Sequence, residues 1–244
     1  MSSLTLEVLS LLGIQLSEAQ VTAFDTYARE LIEWNGRFNL TSITDPEQIR
    51  SKHFLDSLSC WLAIRQAPPG RLIDVGSGAG FPGLPLKILR PEIGLTLVES
   101  TAKKAGFLEH LVQVLGLENV TVLAKRAEEV GQMAQHREAY DWALARAVAP
   151  LPVLAEYLLP LVRVGGTALA QKGKGARVEA EEAQGAIAQL GGELAELLPF
   201  TIPGLDEERW LVLMKKIAPS PAAYPRRPGM PGKRPLGGLS RLVR

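Results

Sequence analysis

Arg71-Leu-Ile-Asp-Val-Gly-Ser-Gly-Ala-Gly-Phe-Pro-Gly-Leu-Pro-Leu86 is the stretch on which the reading of the whole chain turns. Leu72, Ile73 and Val75 make a short apolar strand, and four glycines follow within residues 76–83. The pattern then predicts a helix from about Leu84, with Pro85 tolerated in its first turn. Glycines at a strand-to-helix junction let the backbone turn sharply. They also let a ligand lie against main-chain N–H groups at the helix start. Gly78-x-Gly80-x-x-Gly83 matches the dinucleotide fingerprint, whose first glycine should close the strand. Here Gly76 closes it, and Pro82 stands where a dinucleotide-binding helix should already be running.

In the register set by Gly76 the loop reads Gly76-x-Gly78-x-Gly80 preceded by Asp74. That resembles motif I of the class I S-adenosylmethionine-dependent methyltransferases. The 244 residues suffice for a substantial core, and 46% apolar with 22% charged residues is the balance of an ordinary soluble protein. No apolar run reaches membrane-span length and Met1-Ser-Ser lacks a basic flank, so a cytoplasmic protein is expected. Cys60 is the single cysteine, and His53, His110 and His136 are scattered, so neither a disulfide framework nor a metal site is expected. The net charge of +1 hides an asymmetry: Arg226, Arg227, Lys233, Arg234, Arg241 and Arg244 lie in a tail without acids, leaving the rest net acidic. Such a tail points to a polyanionic partner, or else to a solubilising extension.

Residues 1–69 read as a helical extension. Ser17 with Gln20 forms a capping-box pattern before Val21, Phe24, Ala28, Leu31 and Trp34. Asp45-Pro46 starts another helix, expected to stop at Ala67-Pro68-Pro69-Gly70. Trp34 and Phe38 read as packing residues, and His53 with Asp56 as a local hydrogen-bonded pair. From Arg71 strands alternate with helical runs, which implies a parallel sheet covered on both faces. Strands are predicted at Leu72–Val75, Leu95–Val98, Val120–Leu123, Trp142–Ala145 and Val164–Ala170. The last is set after a Gly165-Gly166 turn and ends in a basic lip at Lys172 and Lys174. A surface helix over 176–190 and a strand pair at Glu193–Phe200 and Glu208–Lys215 follow, so 70–217 reads as the core. Residues 218–244 form a basic tail, irregular or polyproline-like rather than helical, since six prolines fall within 219–235.

Glu99 ends the second strand 23 positions after Gly76, where an acid can accept hydrogen bonds from both ribose hydroxyls of a nucleoside cofactor. Lys125-Arg126-Ala127-Glu128 follows the third strand, where a loop would flank the adenine. Arg146-Ala-Val-Ala-Pro150 follows the fourth, beside the cofactor's reactive end. That loop has no Asp/Asn-Pro-Pro-aromatic run to hold an exocyclic amine and no cysteine to attack a pyrimidine ring. Both chemistries are disfavoured.

Taken together, Trp34-Asn-x-x-x-Asn-Leu-Thr41, His53-Phe-Leu-Asp-Ser-Leu58, Asp74-Val-Gly-Ser-Gly-Ala-Gly-Phe-Pro-Gly-Leu-Pro-Leu86, Lys103-Lys104-x-x-Phe107-Leu108, Arg126-Ala-Glu128, Ala145-Arg-Ala-Val-Ala-Pro150 and Tyr224-Pro-Arg-Arg-x-Gly-x-Pro231 extend over nearly the whole chain. They resemble the 16S ribosomal RNA guanine-N7 methyltransferase family, also called glucose-inhibited division protein B. The resemblance implies a Rossmann-like, mostly parallel seven-stranded sheet with an N-terminal helical extension. It implies transfer of the S-adenosyl-L-methionine methyl to N7 of one guanine in small-subunit ribosomal RNA, free or in an assembling subunit. Gly76, Phe81, Glu99, Ser100, Thr101, Ala127, Glu128 and Arg146 would line the cofactor. Lys103, Arg126, Arg146, Lys172 and Arg209 would surround the base and its phosphates. A monomer is expected. Glu99 departs from the aspartate of many relatives, adding a methylene without removing the acceptor. Guanine N7 offers an unprotonated lone pair on the major-groove edge, so no general base and no catalytic dyad are expected. Three alternatives stand beside this reading: a nicotinamide-dependent oxidoreductase, an RNA-binding module without activity, and a methyltransferase for another nucleic-acid or protein position.

Overall fold

The structure is a computed structural model, and it describes residues 3–65 and 70–237. Ala67-Pro68-Pro69, expected to end the helical extension, and Arg241 and Arg244 of the basic tail lie outside the described residues. Five strands pair in parallel: β1 (Arg71–Val75), β2 (Gly94–Val98), β3 (Val120–Leu123), β4 (Tyr140–Arg146) and β5 (Val162–Lys172). β6 (Gly192–Ile202) and β7 (Leu205–Lys216) form a hairpin, and β7 adds antiparallel to β5, giving the order β3-β2-β1-β4-β5-β7-β6. The order reverses between β1 and β4, so their C-terminal ends open the crevice where ligands bind in such sheets.

Both faces of the sheet are buried, which is why its strands read as continuous apolar runs. Leu72, Leu95, Leu97, Leu144, Leu169, Leu211 and Leu213 point into one core. Their neighbours Ile73, Val75, Val98, Ala143, Ala145, Val212 and Met214 point into the other. The leucine-rich face takes α1 (Ser3–Leu12), α2 (Glu18–Phe38), α6 (Gly83–Leu89) and α7 (Ala102–Val114). Beneath the small-residue face lie α8 (Ala127–Gln132), α9 (Leu151–Leu158) and α10 (Ala176–Gln189). α10 is less of a surface helix than its polar composition suggests, because Ala176, Ala180, Ala183, Ala186 and Ile187 form a buried stripe.

The Ser17 capping box forms as its spacing predicts, the Ser17 hydroxyl accepting from the Gln20 N–H and Gln20 Oε1 from the Ser17 N–H. Asp45 likewise caps α3 (Pro46–Gln48). The helix then widens into a π-helical stretch, Ile49–Leu55, before α4 (Asp56–Leu58) and α5 (Trp61–Ile64). Gln171 joins this extension to the sheet, donating from Nε2 to Asp56 O at 2.6 Å and to Ser59 Oγ at 3.2 Å.

Three sequence expectations need correction. β5 runs on through Lys172, so the basic lip starts inside the sheet. Gly165 and Gly166 form an irregularity within β5 rather than a turn before it, because the β4 register jumps there. The tail holds a one-turn helix, α11 (Met230–Lys233). Pro231 sits in its first turn, where the missing N–H costs nothing. Among the described residues, no helix is long and apolar enough to cross a membrane.

Candidate active site

The glycine loop is pinned to the end of β2. Gly76 and Ser77 donate their N–H groups to Val98 O at 2.8 and 3.1 Å. Gly76 has φ 72°, and a Cβ added there would lie 2.6 Å from Val148 Cγ2, so any side chain would be strained and crowded. Gly83 opens α6 with its N–H on Asp74 Oδ2 at 2.9 Å, and a Cβ there would lie 2.8 Å from that oxygen. The helix begins only at Gly83, after Pro82, as the Gly76 register requires.

Asp74 is fully buried, and Oδ1 has no hydrogen-bond partner. Burial raises its carboxyl to about 7, against the opposing pull of the Gly83 N–H and the Arg146 charge. Glu99 is also buried, and both its oxygens accept main-chain bonds, Oε2 from Gly78 at 3.0 Å and Oε1 from Thr101 at 2.7 Å. Each oxygen keeps a second lone pair for a ligand hydroxyl.

Three chambers run along the strand ends. The first, about 380 Å³, is lined by Gly76, Glu99, Ser100, Arg126, Ala127 and Glu128 on one side and by Val148–Pro150 on the other. Gly232 and Pro235 of the tail complete it. The second, about 330 Å³, shares Gly76, Glu99 and Val148 with the first and adds Gly78, Phe81, Lys104 and Arg146. The third, about 370 Å³, shares His53, Arg146 and Ala147 with the second and adds Lys52, Asp56, Gln171, Lys172, Glu179 and Arg209. Each is of the size that takes a small-molecule ligand.

Arg146 is the hinge between the last two. Its guanidinium donates to Lys52 O at 3.1 Å, to Asp56 Oδ2 at 2.8 Å and to His53 Nδ1 at 3.3 Å. It also sits 5.0 Å from the centroid of Phe81, whose ring is stacked between His53 at 4.4 Å and Tyr27 at 5.2 Å. Since Nδ1 accepts from arginine, Nε2–H of His53 is the group that donates to Thr41 Oγ1, 2.9 Å away. Burial first, and the Arg146 charge second, push His53 down to about 3, so it is neutral at pH 7. Thr41 is held in turn by its N–H on Asn35 Oδ1 at 2.9 Å.

The third chamber carries four cations, Lys52, Arg146, Lys172 and Arg209, against Asp56 and Glu179. Lys172 pairs with Glu179 at 2.7 Å, and Arg209 Nε approaches Asp56 Oδ1 at 3.3 Å without the alignment of a hydrogen bond. Asp56 Oδ1, Gln171 Oε1 and Arg209 Nε are therefore buried side-chain atoms without hydrogen-bond partners, clustered at one place. Buried polar atoms are normally satisfied, so such a cluster marks a place that a polar ligand or water completes.

Of the residues singled out in the sequence, Gly76, Glu99, Ser100, Ala127, Glu128 and Arg126 meet in the first chamber and Phe81 and Arg146 in the second. Thr101 contributes its N–H to Glu99. Lys172 and Arg209 join Arg146 in the third. Lys103 is not brought to any of them. Its ammonium lies 5.9 Å from the Phe38 ring, and Lys104, about 100° further round α7, faces the groove instead. His53 and Asp56 do not bond to each other through their side chains; both turn to Arg146. Sequence reasoning missed them as site residues because their partner lies some 90 positions away. The one available signal was their joint presence in the quoted His53–Leu58 motif. Cys60 is fully buried, and its thiol is raised well above the ordinary range, first by burial.

The family described as "rRNA small subunit methyltransferase G" matches residues 20–203. The ribosomal RNA small subunit methyltransferase G of Roseiflexus castenholzii is 56% identical over 224 residues, 92% of this chain and 95% of that protein. Its namesake from Chloroflexus aggregans is 50% identical over 234 residues, 96% and 97% of the two chains. Among solved structures, a mutant 16S rRNA (adenine(1408)-N(1))-methyltransferase from Catenulisporales acidiphilia aligns with a TM-score of 0.52 at 16% identity, covering 66% of this chain and 91% of that one. A mutant of MtNAS aligns with a TM-score of 0.53 at 16% identity, covering 82% and 75%. At such identities the structural likeness concerns the fold alone.

Proposed function

Because the chain belongs to the rRNA small subunit methyltransferase G family, we propose that it transfers the methyl group of S-adenosylmethionine to N7 of a guanine in 16S ribosomal RNA. The observation that carries this reading is the continuity of the strand-end groove. It passes from Gly76 and Glu99, past Arg146, into a basin with an excess of positive charge.

The residues present fit the cofactor. Gly76 leaves main chain where a Cβ would obstruct, Glu99 presents acceptors at the end of β2, and the first chamber lies beyond them beside Ala127 and Glu128. Bound there, S-adenosylmethionine would supply an electrophilic methyl on a sulfonium. The chain's own work is positioning. Glu99 would accept from the ribose hydroxyls, and the loop Arg146–Pro150 would bracket the reactive end. Arg146, fixed by Asp56, Lys52 O and the Phe81 face, would hold the base between the second and third chambers. Alignment of this kind can supply several kcal/mol of the barrier, up to about 7–11 in ideal cases.

The proton inventory agrees with an N7 target. The nitrogen carries no proton to remove, and His53, held at about 3, would be a poor base. The product ring gains positive charge, so Arg146 and Arg209 are better spent on O6 and on phosphate than on N7 itself. Lys52, Lys172 and Arg209 lie where the flanking backbone would enter.

The test is methyl transfer from labelled S-adenosylmethionine to unmodified 16S RNA and to small subunits, with modified nucleosides identified by mass spectrometry. New 7-methylguanosine is expected. Incorporation into another base would retain the cofactor and overturn the target.

A further inference from the structure

The Tyr224–Pro231 motif has no part in the reaction as derived above, and its basic residues invite a role in gripping RNA. For Arg226 the contacts say otherwise. Arg226 is bound to Glu156, a carboxylate with no solvent exposure: the Arg226 N–H lies 2.8 Å from Oε1, Nε 2.9 Å from Oε1 and Nη2 2.6 Å from Oε2. The same Nη2 reaches forward to Arg234 O at 2.7 Å, tying the two ends of the segment together. The Gly229 N–H donates to Glu128 Oε1 at 2.8 Å, and Gln132 Nε2 to Pro225 O at 2.7 Å. Both receiving elements flank the first chamber: α8 supplies Ala127 and Glu128 to its lining, and α9 supplies Val153 and Tyr157. The chain presents Gly232 and, just past the Arg234 anchor, Pro235 to the same chamber, which Gly76 and Ser100 also line. A flat, apolar wall without a projecting side chain is what the face of a purine requires.

We infer that residues 226–235 form the adenine-side wall of the cofactor groove, held there by Glu128 and Glu156, so that Arg226 serves the cofactor rather than the RNA. The inference rests on the S-adenosylmethionine reading given above. Its ligand is the adenine ring of that cofactor or of its product S-adenosylhomocysteine.

Two positions report on it without disturbing the fold. A Cβ at Gly232 meets nothing within 4 Å, Pro235 is exposed, and the one native thiol, Cys60, is fully buried. The full-length variants Gly232→Cys and Pro235→Cys therefore each carry a single accessible thiol. Their rates of alkylation by iodoacetamide are compared with and without S-adenosylhomocysteine, with Gly36→Cys on the exposed face of α2 as the control. With ligand at about 100 times its Kd, alkylation at one or both tail positions should slow roughly tenfold or more, while the control rate stays the same. Unchanged rates at both tail positions, with binding verified by calorimetry, would overturn the inference and leave the cofactor reading standing. Failure of the unaltered protein to bind S-adenosylhomocysteine would overturn both.

Discussion

Asp74 and His53 both feel the charge of Arg146, yet they respond to acid in opposite senses. The Asp74 carboxyl is raised from its ordinary value to about 7 by burial, so its contribution to stability is fully present below about 3.8 and is lost as pH rises through 7. His53 is lowered to about 3, so its contribution is present above about 6.5 and is lost as pH falls. Each effect amounts to roughly 4 kcal/mol over its window, and between about pH 4 and 6.5 the two nearly cancel. Urea denaturation of Asp74→Asn at pH 4–8 should therefore expose the histidine effect alone, a stability that falls with acid. His53→Gln should show the reverse. Parallel profiles for all three proteins would refute the assignment. Arg146→Lys keeps the charge but loses the fork that joins Asp56, Lys52 O and His53, so methyl transfer should fall by about 100-fold or more. Retained turnover in a single-turnover assay would remove Arg146 from the site. Gly76→Ala should weaken cofactor binding, measured by calorimetry, at about 1–2 kcal/mol of fold stability, the cost of a side chain in a left-handed conformation.

The elements that position the site differ in how visibly the sequence encodes them. The β1 to α6 junction was legible because glycine and proline spacing is a local property, and β3 lies at Val120–Leu123 as its apolar run predicts. The Ser17 and Asp45 caps were legible for the same reason. The π-helical stretch at Ile49–Leu55 was not. No local residue marks it, and it exists in a segment that packs Ile49, Phe54 and Leu55 inward while aiming His53 at Arg146. The N-terminus of α9 is another case. Pro150 provides no side-chain cap, and the Leu151 N–H is satisfied by Glu179 of α10, 2.8 Å away. Glu179→Ala should cost about 1–2 kcal/mol in thermal or chemical unfolding, the price of a lost cap, and release Lys172 from its ion pair. A change within about 0.5 kcal/mol would mean that water replaces the carboxylate.

The tail that composition marks as a separate basic appendage is fastened along its described length. Arg137 donates to Ser220 O and Tyr224 O, at 2.8 and 2.6 Å. The buried ammonium of Lys216 bonds to Leu159 O at 2.8 Å and to the Ser220 hydroxyl. Composition cannot show this, because proline-rich sequence reads as irregular and its receiving carboxylates, Glu128 and Glu156, lie 70 to 101 positions earlier. A chain ended at Ala218 would leave Glu156 buried without its arginine, a loss of about 3–5 kcal/mol, and should melt well below the full-length protein at any salt concentration. A melting point equal to that of the intact chain would show the strap to be dispensable.

The strap also bears on how the protein is made. The groove takes its first wall from Gly76 and its last from Pro235, and among the described residues β6 pairs with β7 alone, which the ribosome delivers afterwards. A nascent chain that has not yet reached Lys216 lacks a finished sheet, and one that has not reached Pro235 lacks a closed groove. The last wall of the groove thus arrives after all seven described strands have been made, and a product clipped between residues 216 and 235 would keep its strands and leave the groove open.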